Sequence, residues 1–346
     1  MGFNHGEGWR ENMKAGLVFW MLVTGGAFGC ATSPPAEMTE YSGTMAVGGM
    51  RDTPTNPSRV ALGRFLFHDS RLSRDQKVAC SGCHTLSKFG VDGKPAGFAV
   101  GGLGQMPNAP GAFNTQAHIA VFWHTGLRNG EAQNEEALGE TPATQPTEMG
   151  APGEQALADL LGRVPRYVHL FRQGFPEDDR PISVKNVAEA IEAFERGLVN
   201  NSRWDRFIAG DASALTLEEK HGMRVFLKTG CVACHAGQQV GGTMFQMLGL
   251  AYPWPKKDQA SGTGTNSVAE RLILQVPSLK NIAESAPYFH DHATSNLQAA
   301  IRLMGHHQLG VELSTEDVDA IAAWMRALTG EVEPDYVAIP DLPPEG

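Results

Sequence analysis

The stretches Cys80-Ser81-Gly82-Cys83-His84 and Cys231-Val232-Ala233-Cys234-His235 decide the fold of this chain. Each places two cysteines three positions apart and follows them at once with a histidine, which is the pattern of c-type haem attachment. Each thiol adds across one haem vinyl group, and the adjacent histidine becomes the proximal ligand of the iron. The two copies therefore predict two covalently bound c-type haems, haem 1 on His84 and haem 2 on His235.

A single motif of this kind has two other interpretations, a redox dithiol or half of a zinc site. A zinc ribbon pairs its C-x-x-C units across roughly 15–20 residues, whereas about 150 residues separate the two copies here. A thioredoxin-like dithiol lies near a βαβ pattern, and neither copy has one around it. Two complete copies therefore favour haem over both alternatives.

Composition limits the class of protein. The 346 residues include 42% hydrophobic residues, which is enough for two globular domains. The formal net charge is −10, so we expect neither nucleic acid nor an anionic membrane face as a partner. An acidic surface suits a basic redox partner. The haem motifs use four of the five cysteines, so only Cys30 remains and there is no material for a disulfide.

The N-terminal segment predicts export. Residues 15–28 are small and apolar and follow the basic Lys14, as in a secretory signal. Its end is similar to a bacterial lipobox, which would make Cys30 the lipidated first residue of the mature protein, although Phe28 is bulky for that motif. Other secretory processing and an uncleaved anchor helix remain open, but about 14 apolar residues are short for a span. The start codon is Met1 or Met13.

Apolar periodicity predicts a mainly α-helical fold. Residues 60–67 have helical spacing, and residues 154–171 form a helix that is interrupted at Pro165. Ser183 and Ser314 precede two further apolar stripes as N-caps. The hexads LGRFLF (62–67) and HGMRVF (221–226) are alike and both lead into a haem motif, so the second half of the chain restates the first.

Residues 90–112 contain many glycines and prolines, which exclude a helix or a long strand. A loop of this length inside a domain is usually functional. It follows the first haem motif closely enough to fold over the porphyrin.

Further stretches of the chain recur in one known family. They are LGRFLF (62–67), FW (122–123), PTEM (146–149), VPSLKN (276–281), APYFHD (286–291), MG (304–305) and QLG (308–310). With the haem motifs, they make residues 54–330 resemble the bacterial di-haem cytochrome c peroxidases and their MauG-like relatives. The resemblance implies an oxidoreductase that reduces hydrogen peroxide to water with electrons from a small periplasmic donor, a cytochrome c or a cupredoxin. Family members are often dimeric.

The resemblance implies two cytochrome c-like helical domains, each with one covalent c-type haem. The expected divisions are a signal peptide (1–30), a tether (31–53), an N-terminal peroxidatic haem domain (54–205), a C-terminal electron-transfer domain (206–330) and a surface tail (331–346).

The resemblance also assigns a role to each haem. Met304 would be the sixth ligand of haem 2, and Met/His ligation raises the reduction potential. A six-coordinate haem cannot bind peroxide, so haem 2 would receive electrons and haem 1 would be the peroxide site. A core methionine has the same spacing, so the assignment depends on the family motif. MauG carries a tyrosine where Met304 stands, which favours a peroxidase over MauG-type chemistry.

The catalytic residues implied by the resemblance are Glu148 and Trp123. Glu148 matches the distal glutamate, which moves a proton between the two peroxide oxygens, although a lone loop glutamate is usually a solvated charge. Trp123 matches an electron relay between the haems, and a core aromatic remains the other interpretation. Asn108 and the backbone carbonyls of Gln275 and Pro277 match a calcium site, since calcium prefers oxygen ligands.

The chain departs from the family in the Gly-rich loop. Many members have a histidine there that ligates haem 1 in the oxidised enzyme, whereas residues 98–106 contain none. We expect haem 1 to be five-coordinate at rest, unless Met106 or His118 takes that place. The Asp usually found after Phe-Trp is replaced by His124.

Near the second haem, we expect His290 and His292 to be structural or to face a propionate. A MauG-like oxidase that modifies a partner protein, and a di-haem electron carrier or sensor without turnover, remain alternatives to the peroxidase.

Overall fold

The computed structural model describes residues 56–94, 111–115, 153–255 and 273–344, and the backbone of two small hairpins. In the hairpins, β1 (Gly97–Phe98) pairs with β2 (Gln105–Met106), and β3 (Leu127–Arg128) pairs with β4 (Glu131–Ala132), both antiparallel. Several predictions fall outside the described residues, namely those on the signal peptide, the tether, Cys30, Asn108, His118, Trp123, Glu148 and the side chain of Met106.

The described residues are mainly α-helical, as predicted. The helices before residue 200 are α1 (Pro57–His68), α2 (Cys80–Cys83), α3 (Glu154–Gly162), α4 (Pro165–Gly174) and α5 (Val184–Glu195). Those after it are α6 (Arg203–Ile208), α7 (Leu217–Thr229), α8 (Leu297–Met304), α9 (Thr315–Arg326) and α10 (Pro334–Val337). One more antiparallel pair joins β5 (Phe245–Met247) to β6 (Ile273–Gln275). In the described part of the chain, no helix has the length and apolar character needed to cross a bilayer.

The predicted N-caps of two helices are confirmed by local hydrogen bonds, whereas α1 and α4 extend beyond the predicted residues 60–67 and 154–171. The Ser183 side chain accepts from the Asn186 amide at 3.1 Å at the start of α5, and Ser314 accepts from the Asp317 amide at 3.0 Å at the start of α9. Such caps satisfy amides that have no partner inside the helix. Pro165 separates α3 from α4 because its ring fits the first turn of a helix but not its interior.

The described helices enclose two hydrophobic cores. In the first core, α1 packs against α4 and α5. In the second, α7 packs against α9, and α8 packs against α9. The largest fully buried side chains of the two cores are Phe67, Tyr167, Phe171, Phe175, Phe194, Trp204, Phe207, Phe226 and Trp324. These are the two cytochrome c-like domains; their exact limits stay a prediction.

The similarity of the two hexads has a packing reason. A Cβ atom at Gly63 would lie 1.9 Å from the Ala190 carbonyl oxygen, and one at Gly222 would lie 1.9 Å from the Ala320 carbonyl oxygen. Glycine therefore lets α1 cross α5, and α7 cross α9, with the backbones in contact. Four residues further along each helix, rings meet in both cores: Phe67 with Phe194 at 5.4 Å and Phe226 with Trp324 at 4.8 Å.

The C-terminal tail crosses back to the first core. Arg64 on α1 donates to the carbonyls of Asp335 and Ala338 at 2.6 and 2.8 Å. The Tyr336 ring stacks on Phe194 with centroids 5.3 Å apart, and its hydroxyl donates to the Phe194 carbonyl at 3.0 Å. The described part of the tail is thus anchored to side chains of the N-terminal domain.

We predict that Tyr336→Ala destabilises the protein by about 1–2 kcal/mol, because an aromatic pair and a hydrogen bond each contribute about 1 kcal/mol. The control is Ile339→Ala in the same tail, where the side chain is 73% exposed; its cost should stay within about 0.5 kcal/mol. Denaturant unfolding measures both. Equal stabilities for the two variants would show that Tyr336 does not anchor the tail.

His68, the last residue of α1, is a buried base. Its side chain is 6% exposed, and neither ring nitrogen has a hydrogen-bond partner among the described residues. The ring packs edge-on against Phe67 at 5.4 Å. Burial, and next the charge of Arg64, lower the pKa of His68 from 6.5 to about 4.

This burial predicts an acid-sensitive step in stability. The unfolded chain takes up a proton on His68 near pH 6.5, whereas the folded chain does so only near pH 4. Stability from this group is therefore complete above pH 6.5 and is lost as the pH falls, by about 2 kcal/mol between pH 7 and pH 5. In His68→Phe that loss should disappear, as measured by denaturant unfolding at both pH values. An unchanged difference between pH 7 and pH 5 in this variant would contradict the prediction.

Candidate haem sites

The first motif forms a single turn. Cys80–Cys83 make up α2, and the His84 amide donates to the Cys80 carbonyl at 2.8 Å. The two thiols and the imidazole therefore leave the chain within one turn, as attachment to one edge of a macrocycle requires. Cys80 is buried in the first core, and burial raises the pKa of its thiol well above the usual range. None of the four described cysteines is in a disulfide.

The His84 ring is oriented by the backbone. Its Nδ1 lies 3.1 Å from the carbonyl oxygen of Gly90. Since a carbonyl can only accept, Nδ1 carries the proton and the lone pair is on Nε2. This is the tautomer that ligates a metal, and the second hydrogen bond fixes the ring.

The second motif repeats this arrangement. Cys231–Ala233 form a 3₁₀ turn, and the His235 amide donates to the Cys231 carbonyl at 3.0 Å. His235 Nδ1 lies 3.2 Å from the Pro277 carbonyl oxygen. Burial lowers the pKa of His235 to about 4, so its imidazole is neutral, as a ligand must be. Burial also raises the pKa of Cys231 to about 12.

Gly241 makes the second arrangement possible. A Cβ atom there would lie 2.1 Å from the Pro277 carbonyl oxygen and 3.2 Å from His235 Nδ1, and the residue has a φ of +129°. Only glycine fits this backbone conformation and this close approach.

The residues present fit two c-type haems. Each motif offers two thiols and a neutral imidazole whose Nε2 is the ligating atom. In the second domain, His290 Nδ1 and His292 Nε2 are buried and have no hydrogen-bond partner within the described ranges. Acceptors such as haem propionates would satisfy them, and a propionate-facing role for these two histidines stays a prediction. In the same ranges, no cluster of three or more His, Cys, Asp or Glu side chains forms a separate metal site.

Met304 ends α8 and is half-buried. A π-helical turn, Gly305–Leu309, follows at once, and such turns are frequent at functional sites. The Gln308 side chain holds this turn, because it donates to the Met247 carbonyl and accepts from the Gly249 amide, both at 3.0 Å. Met304 thus lies in the domain of the second motif, and its role as a ligand stays a prediction.

The predicted calcium ligands are only partly described. The Pro277 carbonyl is the acceptor of His235 Nδ1, so it serves the second haem motif whether or not calcium binds. The Gln275 side chain donates to the Gly242 carbonyl at 3.2 Å, while its residue pairs with Phe245 in the β5–β6 ladder. Calcium therefore stays a prediction, as do the roles of Glu148 and Trp123.

The sequence did not show that the Gly90 and Pro277 carbonyls orient the haem ligands, although the Pro277 carbonyl was expected to bind calcium. These acceptors are backbone carbonyls, which every residue has, so no side-chain pattern could identify them. Sequence reasoning also missed Lys280, whose Nζ donates to Ser202 Oγ at 2.9 Å and pairs with Asp205. This pair holds the VPSLKN stretch against the start of α6.

Two family models match the chain. Residues 57–213 match the model described as di-haem cytochrome c peroxidase, and residues 219–329 match the cytochrome c model. Each match contains one haem motif, and the first match extends past Trp204 and Phe207, which pack in the second core. Helical domains that each carry one covalent haem define the class of di-haem c-type cytochromes.

Individual relatives narrow the class. The cytochrome c551 peroxidase of Nitrosomonas europaea is 34% identical over 297 residues, which are 84% of this chain and 85% of the relative. The methylamine utilization protein MauG of Methylorubrum extorquens is 28% identical, and the match spans 94% of this chain and 98% of the MauG chain. The crystal structure of a MauG-like protein associated with microbial copper homeostasis is similar to this chain, with a TM-score of 0.66 and 25% sequence identity. The match spans 92% of this chain and 98% of the MauG-like chain.

The chain belongs to the di-haem cytochrome c peroxidase family, which includes MauG-like proteins. It is an oxidoreductase of the cytochrome c peroxidase type, and its cofactors are two c-type haems.

Proposed function

We propose that this protein reduces hydrogen peroxide to water with electrons from a small periplasmic donor protein, a cytochrome c or a cupredoxin. The observation that carries the proposal is the repeated haem-ligand geometry, with one oriented imidazole beside each of two separate cores. With two haems, one haem can accept electrons one at a time from the donor, and the other haem can react with an oxidant that takes two electrons. The name of the Nitrosomonas europaea relative supports the same activity.

The residues divide the work as follows. The reaction consumes one peroxide, two electrons and two protons and yields two waters, and the haem irons supply the electron chemistry when bound. His235 and Met304 would hold haem 2, and this pair of ligands would supply a high-potential site for electrons from the donor. Trp123 relays them between the domains. Glu148 accepts the proton of the inner peroxide oxygen and returns it to the outer, leaving oxygen.

The Gly-rich loop determines the resting state. Because residues 98–106 contain no histidine, His84 alone would hold haem 1 in the resting protein, and we expect reaction with peroxide without prior reduction. A calcium ion bound by Asn108 and the carbonyls of Gln275 and Pro277 belongs to the same proposal. So do export to the periplasm, a lipid anchor at Cys30 and a homodimer.

The test is an electron paramagnetic resonance spectrum of the fully oxidised protein with a peroxide titration, followed by a steady-state assay with reduced cytochrome c. We expect one high-spin and one low-spin haem, immediate reaction, and oxidation of two cytochromes per peroxide. Two low-spin haems without reaction until one electron is added would show that another residue, such as Met106 or His118, ligates haem 1. No consumption of peroxide in either state would leave only an electron carrier or sensor.

A second candidate is a MauG-like oxidase that uses peroxide to modify a partner protein. The similarity to MauG over nearly the whole chain favours it, and Met304 argues against it. The oxidase would be supported if the protein consumed peroxide without oxidising reduced cytochrome c and formed new covalent bonds in a partner protein.

A further inference from the structure

Three asparagines form a buried cluster that the proposed reaction does not use. Asn114, Asn200 and Asn281 are 1%, 2% and 4% exposed. Asn114 follows the Gly-rich loop, Asn200 lies between the two cores, and Asn281 ends the VPSLKN stretch. We call these residues the asparagine bridge.

The side chains of the bridge bond to one another. Asn114 Nδ2 donates to Asn200 Oδ1 at 2.7 Å. Asn200 Nδ2 donates to Asn281 Oδ1 at 2.9 Å, and Asn281 Nδ2 donates back to Asn200 Oδ1 at 3.1 Å. Buried amides that satisfy one another in this way form a rigid, specific connection.

Backbone groups fix both ends of the bridge. The Asn114 amide donates to the Leu198 carbonyl at 2.7 Å, and the Gly330 amide donates to Asn281 Oδ1 at 3.1 Å. Asn114 and Asn281 both have a φ of 61°, in the left-handed region that asparagine tolerates. Each end residue therefore turns the chain at a defined point.

The end at Asn281 leads to His235. Four residues earlier in the same stretch, the Pro277 carbonyl accepts from His235 Nδ1. Between them, the Ser278 hydroxyl donates to the Gln239 carbonyl at 2.7 Å, which holds the stretch against the loop after the second haem motif.

The end at Asn114 leads to His84. Two residues before Asn114, Ala112 lies against Gly90, where a Cβ atom would come 2.5 Å from the Ala112 nitrogen. Gly90 has a φ of +77°, and its carbonyl accepts from His84 Nδ1. The two carbonyls that orient the proximal imidazoles are thus attached to opposite ends of one cluster.

We propose that the asparagine bridge is a positioning device that sets both proximal histidines together, by holding the Gly90 and Pro277 carbonyls at hydrogen-bond distance from Nδ1. Stronger donation from Nδ1 makes the imidazole a more basic ligand, which favours the oxidised iron. This role of the bridge requires a haem at each motif, and it is tested through the midpoint reduction potential of each haem. It does not need peroxide to be the substrate, so the two proposals can fail separately.

The test is a redox titration of purified holoprotein, followed by visible spectroscopy, for Asn200→Ala. Loss of the central amide should weaken both Nδ1 donations, so the midpoint potentials of both haems should rise together. Asn114→Ala keeps the Asn200–Asn281 pair and should raise the potential of haem 1 alone. Turnover with any working substrate should fall by about tenfold in Asn200→Ala, as for other partners of metal ligands.

The matched control is Asn186→Ala. Asn186 is also 1% exposed and donates to Asp178 Oδ2 at 2.7 Å and to the Pro181 carbonyl at 2.9 Å, away from the bridge. It should lower the unfolding free energy without moving either potential. If Asn200→Ala does not fold, Asn114→Ala carries the test, because it keeps the Asn200–Asn281 pair and should still raise the potential of haem 1. The proposal would be overturned if the bridge variant that folds had the midpoint potentials of the wild type. Shifts in potential no larger than those in Asn186→Ala would also overturn it.

Discussion

Glu148→Gln should lower the turnover number for peroxide by about 10²–10⁴-fold, the range of general acid–base catalysis, with both haems still attached. A glutamine has nearly the same size but cannot accept the proton of the inner peroxide oxygen. Without that transfer, the leaving oxygen departs as hydroxide instead of water. The substitution therefore acts on cleavage of the O–O bond and leaves peroxide binding almost intact.

Stopped-flow mixing of the oxidised protein with peroxide measures this step directly, and the steady-state rate with reduced cytochrome c measures the whole cycle. The control is Glu140→Gln, which removes a nearby carboxylate from the sequence between the FW and PTEM stretches. It should keep wild-type rates. A loss in Glu140→Gln with normal rates in Glu148→Gln would show that the acid–base residue is Glu140.

The features that the sequence predicted depend on residues close together in the chain. The haem motifs are recognisable because one turn must carry two thiols and a histidine. The caps at Ser183 and Ser314 and the break at Pro165 are likewise decided within a few residues. The two-domain helical fold follows from these local signals and from the family resemblance.

The features that it missed are contacts between distant segments. Asn114 and Asn200 are 86 positions apart, and Asn200 and Asn281 are 81 apart. Tyr336 and Phe194 are 142 apart. Asparagine and tyrosine occur on surfaces as well as in cores, so nothing in their local sequence showed that they would be buried against one another.

The hexads lie between these cases. The similarity of the two hexads was visible in the sequence. The sequence did not show why each contains a glycine, because the glycine is required by the backbone of a facing helix. Gly63 faces Ala190 and Gly222 faces Ala320, and neither partner carries a distinctive pattern.

Gly222→Ala should destabilise the C-terminal domain by about 3 kcal/mol or more, at the upper end of the range for overpacked cores. The new methyl carbon would lie 1.9 Å from the Ala320 carbonyl oxygen and 2.9 Å from the Ile321 nitrogen, so α7 and α9 must separate. Phe226 would then lose contact with Trp324 and with His235, whose ring is 6.3 Å away. The signal of haem 2 should therefore change at a lower denaturant concentration than the signal of haem 1.

Denaturant unfolding followed separately at the two haems tests this, with two matched variants. Gly63→Ala makes the same change against Ala190 and should weaken the haem 1 domain instead. Gly162→Ala, at the end of α3, has nothing within 4 Å of the new methyl and should be neutral or slightly stabilising, since alanine favours helix. If Gly222→Ala unfolded like Gly162→Ala, the two helices would not be in backbone contact at this crossing, and the repeated glycine would need another reason.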